Sequence, residues 1–251
     1  MSINVLITGA GRGLGLSFVK HYLSQPKHTV IAAVRNPDSA SSALKALPTA
    51  TDSKLIIAKI DSISDTDPAE AVKTIKAAGI THLDIVIANA GVVKYNEPVH
   101  ALDLIDVRQA MEINAFGPVK LFAATRDLLK AAEAPPKFIA ISSVIGSTGL
   151  VSNTVGYNLS SYGANKAALN HFVRRIHFEN EWLTAFAVHP GLVTTDMGDR
   201  ALEAYSDVGG AIGITPDESV TSVVKMIDRA SRTSIEGTHG FMNVDGSEMP
   251  Y

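Results

Sequence analysis

Ile3-Asn4-Val5-Leu6-Ile7-Thr8-Gly9-Ala10-Gly11-Arg12-Gly13-Leu14-Gly15 decides the fold. Residues 3–7 are a short apolar run of strand type, and Leu16, Phe18, Val19 and Tyr22 beyond Gly15 continue as a helix. Strand, glycine-rich turn and helix, in that order, are what a dinucleotide phosphate site requires. Gly9 allows the tight turn out of the strand, Gly13 lets the backbone approach a pyrophosphate, and Gly15 permits close packing of helix on sheet. The helix start at Gly13 and Leu14 offers free N–H groups and the positive end of the helix dipole to phosphate.

Outward from this unit the chain alternates. Strand-like runs fall at 3–7, 29–34, 54–60, 83–88, 137–142, 184–189 and 239–243, and the internal ones are continuously apolar, as strands buried on both faces require. Helical stretches lie near 13–25, 38–47, 67–78, 101–131, 161–180 and 216–230, with Pro135-Pro136 as a helix stop before the fifth strand. The pattern predicts one α/β domain over 1–251, a Rossmann-type, doubly wound, mostly parallel seven-stranded sheet with helices on both faces.

Composition narrows the function. Of 251 residues 46% are hydrophobic, enough for a sizeable core, and the net charge is −3 with scattered basic residues, which argues against a nucleic-acid partner. Cysteine is absent and the eight His show no His-x-x-x-His spacing, so no metal site is expected. No apolar run approaches the length of a membrane span, and the first core strand begins at Ile3 without a basic leader region, so a soluble cytoplasmic protein is expected.

In a doubly wound sheet ligands gather beyond the carboxyl ends of the strands. After the glycine turn comes Arg35 at the end of the second strand, where a carboxylate suits a ribose 2′-OH and an arginine suits a 2′-phosphate. Arg35, joined by Arg12, therefore points to NADP(H). Asp61-Ser62 after the third strand is placed for an adenine edge, and Asn89-Ala90-Gly91 after the fourth exposes backbone beside a cofactor ribose. Ser142-Ser143 ends the fifth strand, and Pro190-Gly191-Leu192-Val193-Thr194-Thr195 follows the sixth. Tyr162 and Lys166 are the only Tyr-x-x-x-Lys pair, one helical turn apart on one face. A cation at that distance stabilises a phenolate and prepares the phenol for proton exchange with a substrate oxygen.

These ordered motifs, with Asn114 between them, resemble the short-chain dehydrogenase/reductase family over essentially the whole chain. The ending Gly240-Phe241-Met242-Asn243-Val244-Asp245-Gly246 is similar to a subgroup of small carbonyl reductases that includes sniffer-like enzymes and fungal ketoreductases. The interval from Ser143 to Tyr162 is several residues longer than is usual in the family. Ser143 is the serine expected in the site, while Ser142 points the other way along an extended strand. The resemblance implies Tyr162 as general acid, Ser143 as hydrogen-bond donor to the carbonyl, and Lys166 on the nicotinamide ribose. It also implies Asn114 holding a water that links Lys166 to solvent, and Val193 and Thr195 orienting the nicotinamide carboxamide.

A hydrophobic or aromatic carbonyl compound is expected in a pocket drawn from Val93, Tyr95, Val144, Ile145, Val151, Tyr157, Leu192 and Met197, with residues 193–213 as a glycine-bearing lid. Helical stretches 101–131 and 161–180 are apolar enough for a homodimer or homotetramer. An NADPH-dependent carbonyl reductase is the leading expectation. An NAD-dependent alcohol dehydrogenase and a non-catalytic dinucleotide sensor are the alternatives.

Overall fold

The computed structural model describes residues 2–93, 98–199 and 213–251. Its strands are β1 Ile3–Thr8, β2 His28–Val34, β3 Lys54–Lys59, β4 Ile85–Ala88, β5 Lys137–Ile141, β6 Thr184–His189 and β7 Phe241–Asn243. They form one seven-stranded sheet in the order β3-β2-β1-β4-β5-β6-β7, parallel at every pairing. The chain steps outward from β1 to β3, then returns to β4 on the other side of β1. This reversal opens a crevice at the carboxyl ends of β1 and β4.

The helices are α1 Gly13–Leu23, α2 Pro37–Lys45, α3 Asp67–Ala77, α4 Leu104–Met111, α5 Gly117–Lys130, α6 Val151–Thr154, α7 Ser160–Glu179, α8 Pro216–Arg229 and α9 Arg232–Glu236. Alternation along β1 sends Val5 and Ile7 to one face, where Phe18, Tyr22, Val220 and Ile227 of α1 and α8 cover them. Leu6 goes to the other face, under Ile75, Leu121 and Leu169 of α3, α5 and α7. The side chain of Phe138 is wholly buried there, and truncating such a ring to alanine costs about 3–5 kcal/mol. α8 is held at its start by a capping box: Thr215 Oγ1 accepts from Glu218 N–H, the Glu218 carboxylate accepts from Thr215 N–H, and Pro216 occupies the first turn.

The stretch expected as one helix over 101–131 is divided. Asp103 accepts from Ile105 N–H at 2.8 Å and starts α4 there, preceded by a 3-10 turn at Val99–Ala101. Residues Glu112–Phe116 then widen into a π turn before α5. Pro118 has no N–H to give to the carbonyl of Asn114, its acceptor in a regular helix, so the hydrogen-bond ladder re-forms around that gap. The long interval between Ser143 and Tyr162 is also structured, as α6, a 3-10 turn at Val155–Tyr157, and Asn158 in the left-handed region at φ 39.

Candidate active site

The site is assembled from six strand ends, β1 to β6. At the first, Gly9 has φ +64 and comes so near the β4 turn that a Cβ would lie 2.9 Å from Ala90 Cα; a Cβ on Gly15 would lie 2.1 Å from Gly9 O. No larger residue fits either position without moving backbone. Thr8 ties the two turns together: its Oγ1 accepts from the N–H groups of both Asn89 and Ala90 at 3.1 Å, and Asn89 Nδ2 donates to Thr8 O at 2.9 Å. Thr8 sits inside the decisive motif, yet its role depends on a turn eighty residues away.

Arg35, at the end of β2, is exposed with no ion-pair or hydrogen-bond partner among the described residues. Arg12 instead reaches across to Asp196, an exposed ion pair at 2.9 Å that joins the glycine turn to the segment after β6. Asp61, after β3, accepts from Ile63 N–H at 3.2 Å, and its own N–H is held by the Asp67 carboxylate at 3.0 Å. The hydrogen bond from Asp61 N–H, against an opposing effect of burial, keeps Asp67 below the usual carboxylate range, with Lys59 and Ser64 assisting. Sequence reasoning missed Asp67, whose signal was a carboxylate at the first position of α3. Ser62 packs against Gly117, where a Cβ would lie 3.0 Å from Ser62 Cβ.

Asn114 lies in the π turn, 1% exposed, with its amide committed in both directions to Val92: Oδ1 accepts from Val92 N–H and Nδ2 donates to Val92 O, each at 2.8 Å. Its side chain therefore fixes the turn after β4, and Pro118, which has no N–H, makes no hydrogen bond to its main-chain carbonyl. Gly91 is the common neighbour of two expected site residues, since a Cβ there would stand 3.2 Å from Asn114 Oδ1 and 3.8 Å from Lys166 Nζ.

Lys166 is buried, and its ammonium donates to Ile141 O at 2.7 Å. Burial pulls its pKa down to about 8, so it remains mainly charged at neutral pH. The ammonium lies 5.6 Å from the centre of the half-buried Tyr162 ring. The 3-10 turn Val144–Gly146 rests directly on α7: a Cβ on Gly146 would lie 2.6 Å from Lys166 Cβ, and one on Gly163 2.8 Å from Ile145 O. That contact brings Ser143, the cap of the turn, to the same end of the sheet as Tyr162. Ser143 Oγ accepts from Ile145 N–H at 3.3 Å, a long bond that leaves its proton available.

After β6, Val193 bridges Ile214 in parallel, through Thr194 N–H to Ile214 O at 2.9 Å and Ile214 N–H to Leu192 O at 2.8 Å. In that pairing the N–H of Val193 faces away from Ile214. Pro190 O accepts from the buried Ser219 hydroxyl at 2.6 Å, and Gly191 adopts φ +82. Thr195 Oγ1 accepts from Gly198 N–H at 3.2 Å, and its methyl faces Gly13. Of the expected pocket and lid, Tyr95 and residues 200–212 lie outside the described residues. Val151 and Met197 are among the exposed large apolar side chains, as is Val155, which the sequence reading did not single out.

A family model described as short chain dehydrogenase matches residues 3–206. The chain belongs to that family. It is thus an oxidoreductase by family, and its relatives include ketoreductases. It is 43% identical to a short-chain dehydrogenase of Neurospora crassa, over 98% of this chain and 97% of that one. It is 38% identical to norsolorinic acid ketoreductase of Aspergillus parasiticus, over 98% of this chain and 90% of that one. Among solved structures, the NADPH-bound carbonyl reductase from chicken fatty liver superposes with a TM-score of 0.82 at 27% identity, covering both chains completely.

Proposed function

We propose that this protein is an NADPH-dependent carbonyl reductase of the cytoplasm, reducing the ketone or aldehyde of a hydrophobic or aromatic small molecule to an alcohol. The observation that carries the reading is the meeting of Lys166, Tyr162 and the Ser143 turn at one end of the sheet, beside the glycine turn. The residues fit the cofactor: two turns close enough to need glycine, a free helix start at α1, and a cation at Arg35, unpaired among the described residues, where a 2′-phosphate would lie. NADPH, when bound, supplies the hydride. Arg35 and Arg12 hold the 2′-phosphate, Arg12 leaving Asp196 to do so. Asp61 meets the adenine, Asn89 to Gly91 line the ribose, and Val193 N–H and the Thr195 hydroxyl fix the carboxamide.

Ser143 donates to the substrate oxygen and stabilises the charge that develops on it, and Tyr162 gives that oxygen its proton. Lys166 turns its ammonium from Ile141 O toward the nicotinamide ribose and keeps the phenol acidic. Asn114, through its main-chain carbonyl, holds the water that returns the proton to Lys166. The norsolorinic acid ketoreductase among the relatives supports a ketone as substrate, and the exposed apolar side chains of Val151, Val155 and Met197 support an apolar rim.

Leu104, Ile105 and Phe116 are exposed along α4 and the π turn, which supports a homodimer or homotetramer formed through this side and α7. Titration with NADPH and with NADH, followed by a panel of aromatic ketones, quinones and α-dicarbonyls, tests the reading. Tighter binding of NADPH with turnover supports it. NAD binding as tight as NADP favours an alcohol dehydrogenase, and binding without any turnover favours a sensor.

A further inference from the structure

The segment from Ser247 to Tyr251 doubles back along β7 and then leaves the sheet. Met242 forms an antiparallel bridge with Glu248, and Met249 N–H donates to Phe241 O at 2.8 Å. The Glu248 carboxylate accepts from His239 N–H at 2.6 Å and pairs with the His239 ring as well. The ring of Tyr251 stacks on Phe241 at 6.2 Å and meets His239 edge-on at 6.1 Å. Beyond this anchor the segment meets the long interval between Ser143 and Tyr162. The buried Ser147 hydroxyl donates to Pro250 O at 2.6 Å, and Gly149 N–H donates to Tyr251 O at 2.6 Å. A Cβ on Gly149 would lie 2.9 Å from Tyr251 O and 3.2 Å from Pro250 Cβ, so the two stretches are in direct contact.

This interval is fastened on two sides. Its first turn, Val144–Gly146, rests on α7 at Lys166, and its next residues, Ser147 to Gly149, are tied to the 247–251 segment. The exposed Val151 and Val155 follow at once in α6 and the 3-10 turn. Both ends of the interval carry groups assigned to the reacting carbonyl, Ser143 and Tyr162, and the exposed Val151 and Val155 lie on the segment that links them.

We propose that residues 247–251 are a strap that positions the Val151–Tyr157 rim over the substrate, making Ser147 and Tyr251 positioning residues for the bulk of the carbonyl compound. The strap deepens the carbonyl-reductase reading and rests on it for the identity of the substrate. The strap touches neither the glycine turn nor Arg35, so it acts on substrate and not on cofactor.

The test uses the full chain with Tyr251→Ala, Ser147→Ala and Tyr251→Phe. Amide hydrogen exchange over 147–157 is expected to speed up about tenfold or more in the two alanine variants. KM for an aromatic ketone should rise about fivefold or more, with kcat and the Kd for NADPH within about twofold of wild type. Tyr251→Phe keeps the stack on Phe241 and removes only a buried hydroxyl that has no hydrogen-bond partner among the described residues, so it should match wild type. Unchanged exchange over 147–157 in Tyr251→Ala overturns the strap, as does a rise of KM and the NADPH Kd together, which would mark general loosening. A wild-type protein without turnover of any carbonyl compound sinks the reductase reading instead, and the exchange experiment still decides whether the strap exists.

Discussion

The Ser142 hydroxyl donates to Asn170 Oδ1 at 2.6 Å inside the core between β5 and α7, while its neighbour Ser143 caps the turn at the open end of the sheet. Adjacent residues just beyond one strand thus divide support from chemistry. Ser142→Ala leaves the buried Asn170 oxygen without its donor and should cost about 1–3 kcal/mol in urea unfolding, with kcat nearly unchanged. Ser143→Ala should instead lower kcat about a hundredfold with little loss of stability. The reverse pattern would move the assignment to Ser142.

Arg35 has no hydrogen-bond or ion-pair partner among the described residues, so removing its charge leaves none of them unpaired. Arg35→Ala should weaken NADPH binding about tenfold or more and leave NADH binding within about twofold, read by fluorescence titration. Equal weakening of both cofactors would place the 2′-phosphate elsewhere.

Burial without a nearby carboxylate holds the Lys166 pKa at about 8. Below that pH the ammonium is charged and can donate to ribose hydroxyls; above it the charge is lost. NADPH affinity should therefore fall as pH rises through about 8. The fall should persist in Tyr162→Phe, which removes the other group able to titrate in the site. A flat profile in that variant would show that Lys166 does not reach the cofactor.

Stability should fall on the acid side because of a histidine outside the site. His177 is fully buried and its Nδ1 accepts from Ala185 N–H at 3.1 Å, which requires the neutral ring. Burial first, then Arg232 and Arg174, push its pKa to about 4. The unfolded chain takes up a proton near the ordinary value of 6.5 that the folded one refuses. Stability is thus fully present above pH 6.5 and is lost between there and pH 4, by on the order of 3 kcal/mol. Urea midpoints at pH 7 and pH 4.5 measure this. His177→Asn, whose amide oxygen can take the place of Nδ1, should remove the His177 share of the dependence and leave that of His189, whose pKa burial also lowers to about 4.

The sheet was legible because its strands are continuous apolar runs separated by turns with their own chemistry, and all seven stand within two residues of expectation at their ends. The helix through Asn114 was less so: a π turn has no hydrophobic period of its own, and only Gly117-Pro118 marked the place. In the site, Tyr162 and Lys166 were visible because one helix carries both at fixed spacing. Thr8 as a staple, Val92 on Asn114 and Asp67 behind Asp61 were not, since each acts through a contact with backbone from another part of the chain. The strap at 247–251 escaped for the same reason, because main-chain oxygens of Pro250 and Tyr251 are its contacts to Ser147 and Gly149.

The central claim is hydride delivery to a carbonyl carbon with proton donation by Tyr162. Incubation of wild type and Tyr162→Phe with an aromatic ketone and NADPH deuterated on the transferring face of the nicotinamide tests it directly. The account predicts one deuterium on the carbinol carbon with wild type, and a rate at least about a hundredfold lower in the variant with NADPH binding retained. Deuterium transfer at an equal rate in Tyr162→Phe would contradict the assignment of the acid, and its absence from the wild-type product would contradict the reaction itself.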